Sequence, residues 1–293
     1  MIKIKNITKD YGQNRGVFDL SFQVNKGEVV GFLGPNGAGK TTTIRQLMGF
    51  SQPDSGEVYI DGMSCFQERH KIVKELGYLP GEIAFMDSMT GIEFIRFVAS
   101  MKGMKDLGRT HELMERFELK CDGKLKKMSK GMKQKIAIVC AFMDDPEILI
   151  LDEPTSGLDP LMQNVFVEFI KEEKKRNKTI LMSSHMFEEI ERTCDRVVII
   201  KEGKLVAIEN LEVLRENQKK MLHIAFKTEV MAQQFCQEFT QAGQESCKIS
   251  MVIEQDLNQI IAALSKYDVE DIQTKYQSLE ECFMHFYGGN EDD

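Results

Sequence analysis

The sequence predicts an α/β fold with a helical segment set into it and a small α+β appendage after it. Three observations carry that prediction. Residues 28–33 and 147–151 are short apolar runs of the kind buried in the middle of a parallel sheet. Residues from about 86 to 145 turn wholly helical in pattern. After about residue 215 the texture changes, and strand-like and helical stretches alternate.

The elements follow in order. Residues 2–7 alternate at period two and read as a strand with one solvated face, Tyr11-Gly12 forms a turn, and residues 17–24 alternate again. The 28–33 strand runs into a glycine-rich loop, and a helix opens over 41–48. Residues 51–56 are a loop, 57–62 a strand ending in an Asp-Gly turn, 67–76 a charged helix, and 77–81 a short strand ended by Pro80-Gly81. In the helical segment Ile92, Phe94, Ile95, Phe97 and Val98 mark one helix, and Leu113, Met114 and Phe117 another. A third runs to about Phe142 with Ser129 as its N-cap. Pro160 suits the first position of a helix reaching about Lys175. Residues 179–183 are a strand with His185 just beyond, and 196–200 and 204–208 flank Lys201-Glu202-Gly203 as a hairpin. In the appendage 221–226, 248–253 and 269–276 read as strands, and 229–242, 257–264 and 278–288 as helices. The end, Glu291-Asp292-Asp293, reads as a frayed acidic tail.

Composition excludes several classes. At 293 residues the chain can bury a substantial core, as one large domain or two. The net charge is −8 with no long basic run, so no nucleic-acid partner is expected. The seven cysteines are scattered and none stands in C-x-x-C spacing, which argues against a zinc or disulfide framework and for a reduced cytoplasm. The N-terminus lacks the apolar core of a signal peptide, and no run approaches the ~18 apolar residues that span a bilayer. Any membrane role is expected to come through a partner.

The glycine-rich loop, Gly34-Pro35-Asn36-Gly37-Ala38-Gly39-Lys40-Thr41, matches G-x-x-x-x-G-K-[ST], the phosphate-binding P-loop. Its glycines let the backbone turn tightly and aim N–H groups at an anion. Lys40 offers a charge to the outer phosphates, Thr41 a hydroxyl to Mg²⁺, and Thr42 continues the cradle into the helix. The 147–151 strand runs directly into Asp152-Glu153, the Walker B arrangement. Asp152 would hold Mg²⁺, and Glu153 would polarise an attacking water. The plainer reading, a strand ending in two solvent-facing acids, loses ground once a P-loop is present.

With these motifs in order, residues 1 to about 215 resemble the nucleotide-binding domain of an ABC (ATP-binding cassette) transporter. The run Leu151-Asp152-Glu153-Pro154-Thr155-Ser156-Gly157-Leu158-Asp159-Pro160 is very specific to that family. The resemblance implies a P-loop NTPase core with an antiparallel β subdomain and a helical subdomain (about 86–145), the whole spanning 1–215, and 216–293 as a C-terminal α+β accessory domain. It also implies that Tyr11 stacks on adenine, although Tyr11 could equally pack in a turn. Ser129 and Gly131 stand where the family clasps the γ-phosphate of ATP bound to the opposite subunit. Asp159 stands in the D-loop and His185 at the switch histidine, where an imidazole can hydrogen-bond the γ-phosphate. The basic run from Lys124 to Lys135 is most simply a solvated face.

Two departures from the family pattern stand out. The signature L-S-G-G-Q is here Met128-Ser129-Lys130-Gly131-Met132, and the position after the 77–80 strand, a glutamine in the family, is Gly81 followed by Glu82. The expected function is ATP hydrolysis, with Mg²⁺, by a homodimer that energises export through a separate permease. The chain would lie peripherally on the inner face of the membrane, docking through residues near 82–100. The short extension and the Gly81 variant resemble bacterial exporter systems, including drug and antimicrobial-peptide efflux. A soluble ABC-type ATPase acting on ribosomes or DNA is the alternative. It is disfavoured by a single cassette, by the absence of a coiled coil between P-loop and signature, and by the acidic balance.

Overall fold

A computed structural model describes residues 1–216, 218, 220–239, 243–253 and 257–276. The expected helix over 278–288 and the acidic tail lie outside these residues. The chain divides into two compact units, Met1–Leu211 and Glu212–Asp293.

The first unit opens with strands β1 (Ile2–Asp10), β2 (Gly16–Val24) and β3 (Val29–Leu33) and helix α1 (Lys40–Leu47). Next come β4 (Ser55–Ile60), β5 (Met63–Ser64), α2 (Arg69–Glu75) and β6 (Leu76–Leu79). The helical segment holds α3 (Gly91–Met101), α4 (Gly108–Arg116) and α5 (Lys130–Phe142). The chain then returns with β7 (Ile148–Asp152), α6 (Pro160–Lys175), β8 (Thr179–Ser184), α7 (Phe187–Thr193), β9 (Arg196–Lys201) and β10 (Lys204–Asn210).

These strands form two sheets. One has the order β10-β9-β3-β8-β7-β6 and is parallel except for β10, which pairs antiparallel at the edge. The other is antiparallel, in the order β2-β1-β4-β5. Every residue of β3, β7 and β8 is buried, which explains the apolar runs of β3 and of Ile148–Leu151, while the polar ends Asp152, Ser183 and Ser184 pair at the site. The two sheets share a core in which Ile4, Leu20 and Phe22 meet Phe32, Ile44 and Ile150, with the Phe22 and Phe32 rings 5.2 Å apart.

Register positions the site. Leu33 of β3 pairs with Ser184 of β8, Asp152 of β7 with Ser183, and Leu79 of β6 with Leu151. The carboxyl ends of four parallel strands therefore finish on one edge, where open parallel sheets hold their ligands.

Local differences from the sequence pattern have physical causes. β1 continues past Ile7 to Asp10, because its pairing with β2 slips between Ile4 and Ile7 and again between Ile7 and Lys9. Such bulges break the period-two pattern while the ladder goes on. α7 (seven residues) has no counterpart among the expected elements. It packs so closely on β3 that a Cβ on Gly31 would lie 2.4 Å from Ile190.

In the second unit α8 (Leu211–Glu216) leads to β11 (Lys220–Phe226), α9 (Glu229–Glu238), β12 (Gly243–Glu245), β13 (Lys248–Val252), α10 (Leu257–Leu264) and β14 (Val269–Tyr276). Its antiparallel sheet has the order β12-β13-β11-β14, and Ile224, Phe226, Phe235, Ile249 and Ile260 fill its core. α9 ends at Glu238, short of the expected 242; residues 240–242 are outside the described set. Among the described residues no helix is long and apolar enough to cross a membrane.

Candidate functional site

The loop after β3 takes its shape from two glycines in the left-handed region, Gly37 (φ 82°) and Gly39 (φ 107°). Gly39 also has no room for a side chain, since a Cβ there would stand 2.6 Å from Val17. α1 starts immediately after, with no side chain capping its N-terminus, so its first N–H groups face the loop. Lys40 is buried and bends back across the loop, donating to the carbonyls of Gly34 (2.5 Å) and Pro35 (3.3 Å). Its ammonium is also 3.3 Å from Glu153 Oε1.

Thr41 Oγ1 donates to Asp152 Oδ2 at 3.0 Å, and the Ser183 hydroxyl donates to the other carboxylate oxygen. Asp152 is 1% exposed. Burial pushes its carboxyl up from the ordinary carboxylate range, while the Ser183 and Thr41 hydroxyls pull it back down. The next residue, Glu153, sits at φ 49°, with its N–H bonded to Ser183 O (3.2 Å) and Ser183 Oγ (3.1 Å). This turn aims the Glu153 side chain between Lys40 and His185, whose Nδ1 is 2.6 Å from Glu153 Oε2.

These groups surround an open cleft of about 960 Å³. Pro35, Asn36, Gly37, Gly39, Lys40, Thr41 and Thr42 form its floor, with Glu153 and His185 on one wall. Tyr11 stands at its rim, 55% exposed, with the Lys9 ammonium 5.9 Å from the ring centre. Gly34 and Ala38 lie beneath the floor. A Cβ on Gly34 would be 2.5 Å from Ile200 O, and Ala38 is buried.

Ser129, Gly131 and Asp159 do not line this cleft. Ser129 caps α5, its hydroxyl accepting from Met132 N–H at 3.2 Å; Asp159 caps α6, accepting from Met162 N–H at 3.0 Å. Gly131 lies against the 153–159 loop, where a Cβ would meet Gly157 O at 2.6 Å. From that segment Lys130 does reach the cleft, and it donates to Ser156 Oγ at 2.8 Å.

Sequence reasoning missed two supports. Ser183 serves Asp152 and Glu153 together, and only the pairing of β7 with β8 reveals it. Gln134 of α5 is buried and donates to Pro154 O (2.7 Å) and Glu153 O (3.3 Å), holding the loop after β7. No local pattern marks a helical glutamine for that task. Gly81 has a steric reason to be glycine, since a Cβ there would lie 3.1 Å from Asp152 Oδ2.

No group of three or more His, Cys, Asp or Glu that could hold a metal occurs among the described residues. Thr41 lines the cleft floor, and its hydroxyl bonds the Asp152 carboxylate buried just beneath it. That donor set suits Mg²⁺, which takes one or two protein oxygens and completes its shell with phosphates and water.

A family model described as ABC transporter matches residues 17–156. The ABC transporter ATP-binding protein NatA of Bacillus subtilis (strain 168) is 37% identical, over 70% of this chain and 86% of its own. The bacitracin transport ATP-binding protein BcrA of Bacillus licheniformis is 35% identical over 99% of this chain and 98% of its own. The dimeric ATP-binding cassette MJ0796, in a post-hydrolysis state bound to ADP and Pi, superposes with a TM-score of 0.65 at 25% identity, covering 72% of this chain and 99% of that one. With a P-loop, Glu153 and His185 lining one cleft and Asp152 bonded to Thr41 beneath it, the chain belongs to the ABC transporter family as one of its ATP-hydrolysing, ATP-binding proteins.

Proposed function

We propose that the chain is the ATPase subunit of an exporter, working as a homodimer beneath a separate membrane permease, with residues 1–215 as the ATP-binding domain and 216–293 as an accessory domain. One observation carries this reading. The P-loop, Glu153 and His185 line one cleft, with Asp152 bonded to Thr41 beneath it, while Ser129, Gly131 and Asp159 stand apart from it. A second copy, docked head to tail, would bring those three residues to the first copy's nucleotide, and the relative MJ0796 is itself a dimer.

Within that site each group has a role. The N–H groups of residues 36–42 and the Lys40 ammonium bind the phosphates, and Tyr11 gives the adenine an exposed ring to stack on. Thr41 and Asp152 hold Mg²⁺, which supplies charge neutralisation at the phosphates. Glu153 orients and deprotonates the attacking water. His185, bonded to Glu153 Oε2, steadies the γ-phosphate and keeps the Glu153 carboxylate aimed. Lys40 lies 3.3 Å from Glu153, so an arriving phosphate would draw the ammonium away and free the carboxylate for water. Asp159 would carry the signal across the dimer.

The likeness to BcrA extends over nearly the whole chain, including the residues after 215, and this supports export of an antimicrobial peptide or related amphiphile. An apolar groove lined by Phe50, Val73, Val98 and Met101 is suited to receive a permease loop. The chain would then sit peripherally on the inner face of the membrane. Glu153→Gln tests the reading. It should lower phosphate release by about 10²- to 10⁴-fold while the protein still binds ATP and becomes a dimer with it. Undiminished turnover, or a protein that stays monomeric with ATP, would overturn it.

A further inference from the structure

We propose that Glu189 is a positioning residue of the ATPase site, its buried carboxyl bracing, through the Ser184 hydroxyl, the turn that carries His185. This rests on the roles given above to Glu153 and His185.

Glu189 lies on α7, the short helix packed on β3 at Gly31, and is 6% exposed. Its Oε2 accepts from Ser184 Oγ at 2.7 Å. Ser184 Oγ in turn accepts from Met186 N–H at 2.9 Å, so the same hydroxyl shapes the turn in which His185 sits. Glu189 thus stands one hydroxyl away from the turn that brings His185 to its 2.6 Å contact with Glu153.

The other carboxyl oxygen, Oε1, has no hydrogen-bond partner among the described residues, and no Lys or Arg of those residues pairs with Glu189. Glu153 and His185 face it from the cleft, and Cys194 from the end of its own helix. Burial is the largest influence on its proton and pushes the carboxyl up to about 7; the Glu153 charge adds to the rise, and the Ser184 and Thr155 hydroxyls oppose it. An ionised Glu189 would place a second negative charge beside Glu153 with no cation paired to it, and the repulsion would displace the Glu153 carboxylate. The neutral form is the one that leaves Glu153 in place.

The test is the pH profile of kcat for ATP hydrolysis by the full chain, with KM for ATP measured alongside. Glu189→Ala should lower kcat by about tenfold to a hundredfold, with KM for ATP changed by less than about threefold, as expected for a misplaced catalytic group rather than lost nucleotide binding. Glu189→Gln, uncharged at every pH, should retain most of the kcat at pH 6 and lack the decline above about pH 7 that the unaltered protein should show. Ser184→Ala should reproduce the kcat loss in part. An unaltered kcat in Glu189→Ala, a decline above pH 7 that persists in Glu189→Gln, or a loss in Glu189→Gln at pH 6 as deep as in Glu189→Ala would each overturn the proposal. If Glu153→Gln keeps full turnover, the assigned roles fail instead, and the two failures are distinguishable.

Discussion

Adding one methyl group at position 81 should slow ATP hydrolysis by about tenfold. The Cβ of Gly81→Ala would stand 3.1 Å from Asp152 Oδ2 and 3.2 Å from Asp152 Cγ, a few tenths of an ångström inside ordinary contact. The aspartate cannot turn away cheaply, because Ser183 holds one of its oxygens and Thr41 holds the other at 3.0 Å. Disturbing a hydrogen bond to a buried carboxylate costs about 1.5–3 kcal/mol, and shifting the packed strand end instead costs about 1–3 kcal/mol. The lower part of that range, about 1.4 kcal/mol, is a factor of ten in rate when it falls on the transition state. The assay is steady-state phosphate release as a function of Mg²⁺ concentration, and the apparent Mg²⁺ requirement should rise as kcat falls. Gly81→Gln introduces the same Cβ together with the amide that the family resemblance leads one to expect there. Alanine isolates the steric effect, and the difference between the two variants reports the amide. Turnover and Mg²⁺ dependence unchanged in Gly81→Ala would refute the claim that this glycine exists to clear the metal-site aspartate.

Three further outcomes follow from the same contacts. Ser183→Ala removes the donor to Asp152 and one acceptor of the Glu153 N–H, and should lower both stability and turnover by about 1–3 kcal/mol, read by urea unfolding and by kcat. Gln134→Leu strips the donor from the carbonyls of Pro154 and Glu153, and should destabilise the fold by about 1–3 kcal/mol in urea; an unchanged midpoint would show that water replaces the amide. Glu189 also makes stability depend on pH. Its carboxyl moves from an ordinary 4.5 in the unfolded chain to about 7 in the fold, so the native state holds the extra proton between those values. Stability should therefore fall as pH rises from about 4.5 to about 7, by a total of about 3 kcal/mol, a loss that Glu189→Gln should not share. Unfolding midpoints of the two proteins at pH 5.5 and pH 8 would show the gap widen, and a constant gap would refute it.

Much of this site is legible in the amino-acid sequence itself. The P-loop is a local object: its glycines, Lys40 and Thr41 do their work within a few residues of one another, so adjacency in the chain records adjacency in space. The same holds for Asp152 and Glu153 at the end of an apolar strand, and for the caps Ser129 and Asp159, whose hydrogen bonds close three residues away. The buried strands are recognisable from composition, because a strand covered on both faces has no polar side to show.

Their order is not. β3, β7 and β8 each carry an apolar stretch that suits an interior place, so nothing in those stretches says which stands beside which. Only the assembled core decides that β7 lies next to β8 with Asp152 opposite Ser183, and that the chain just past β6 brings Gly81 against the same aspartate. The contact of His185 with Glu153 and the buried carboxyl of Glu189 behind it depend on that order too. The chemistry is written in local runs of residues, whereas the support for that chemistry comes from register between distant strands, which only the assembled core specifies.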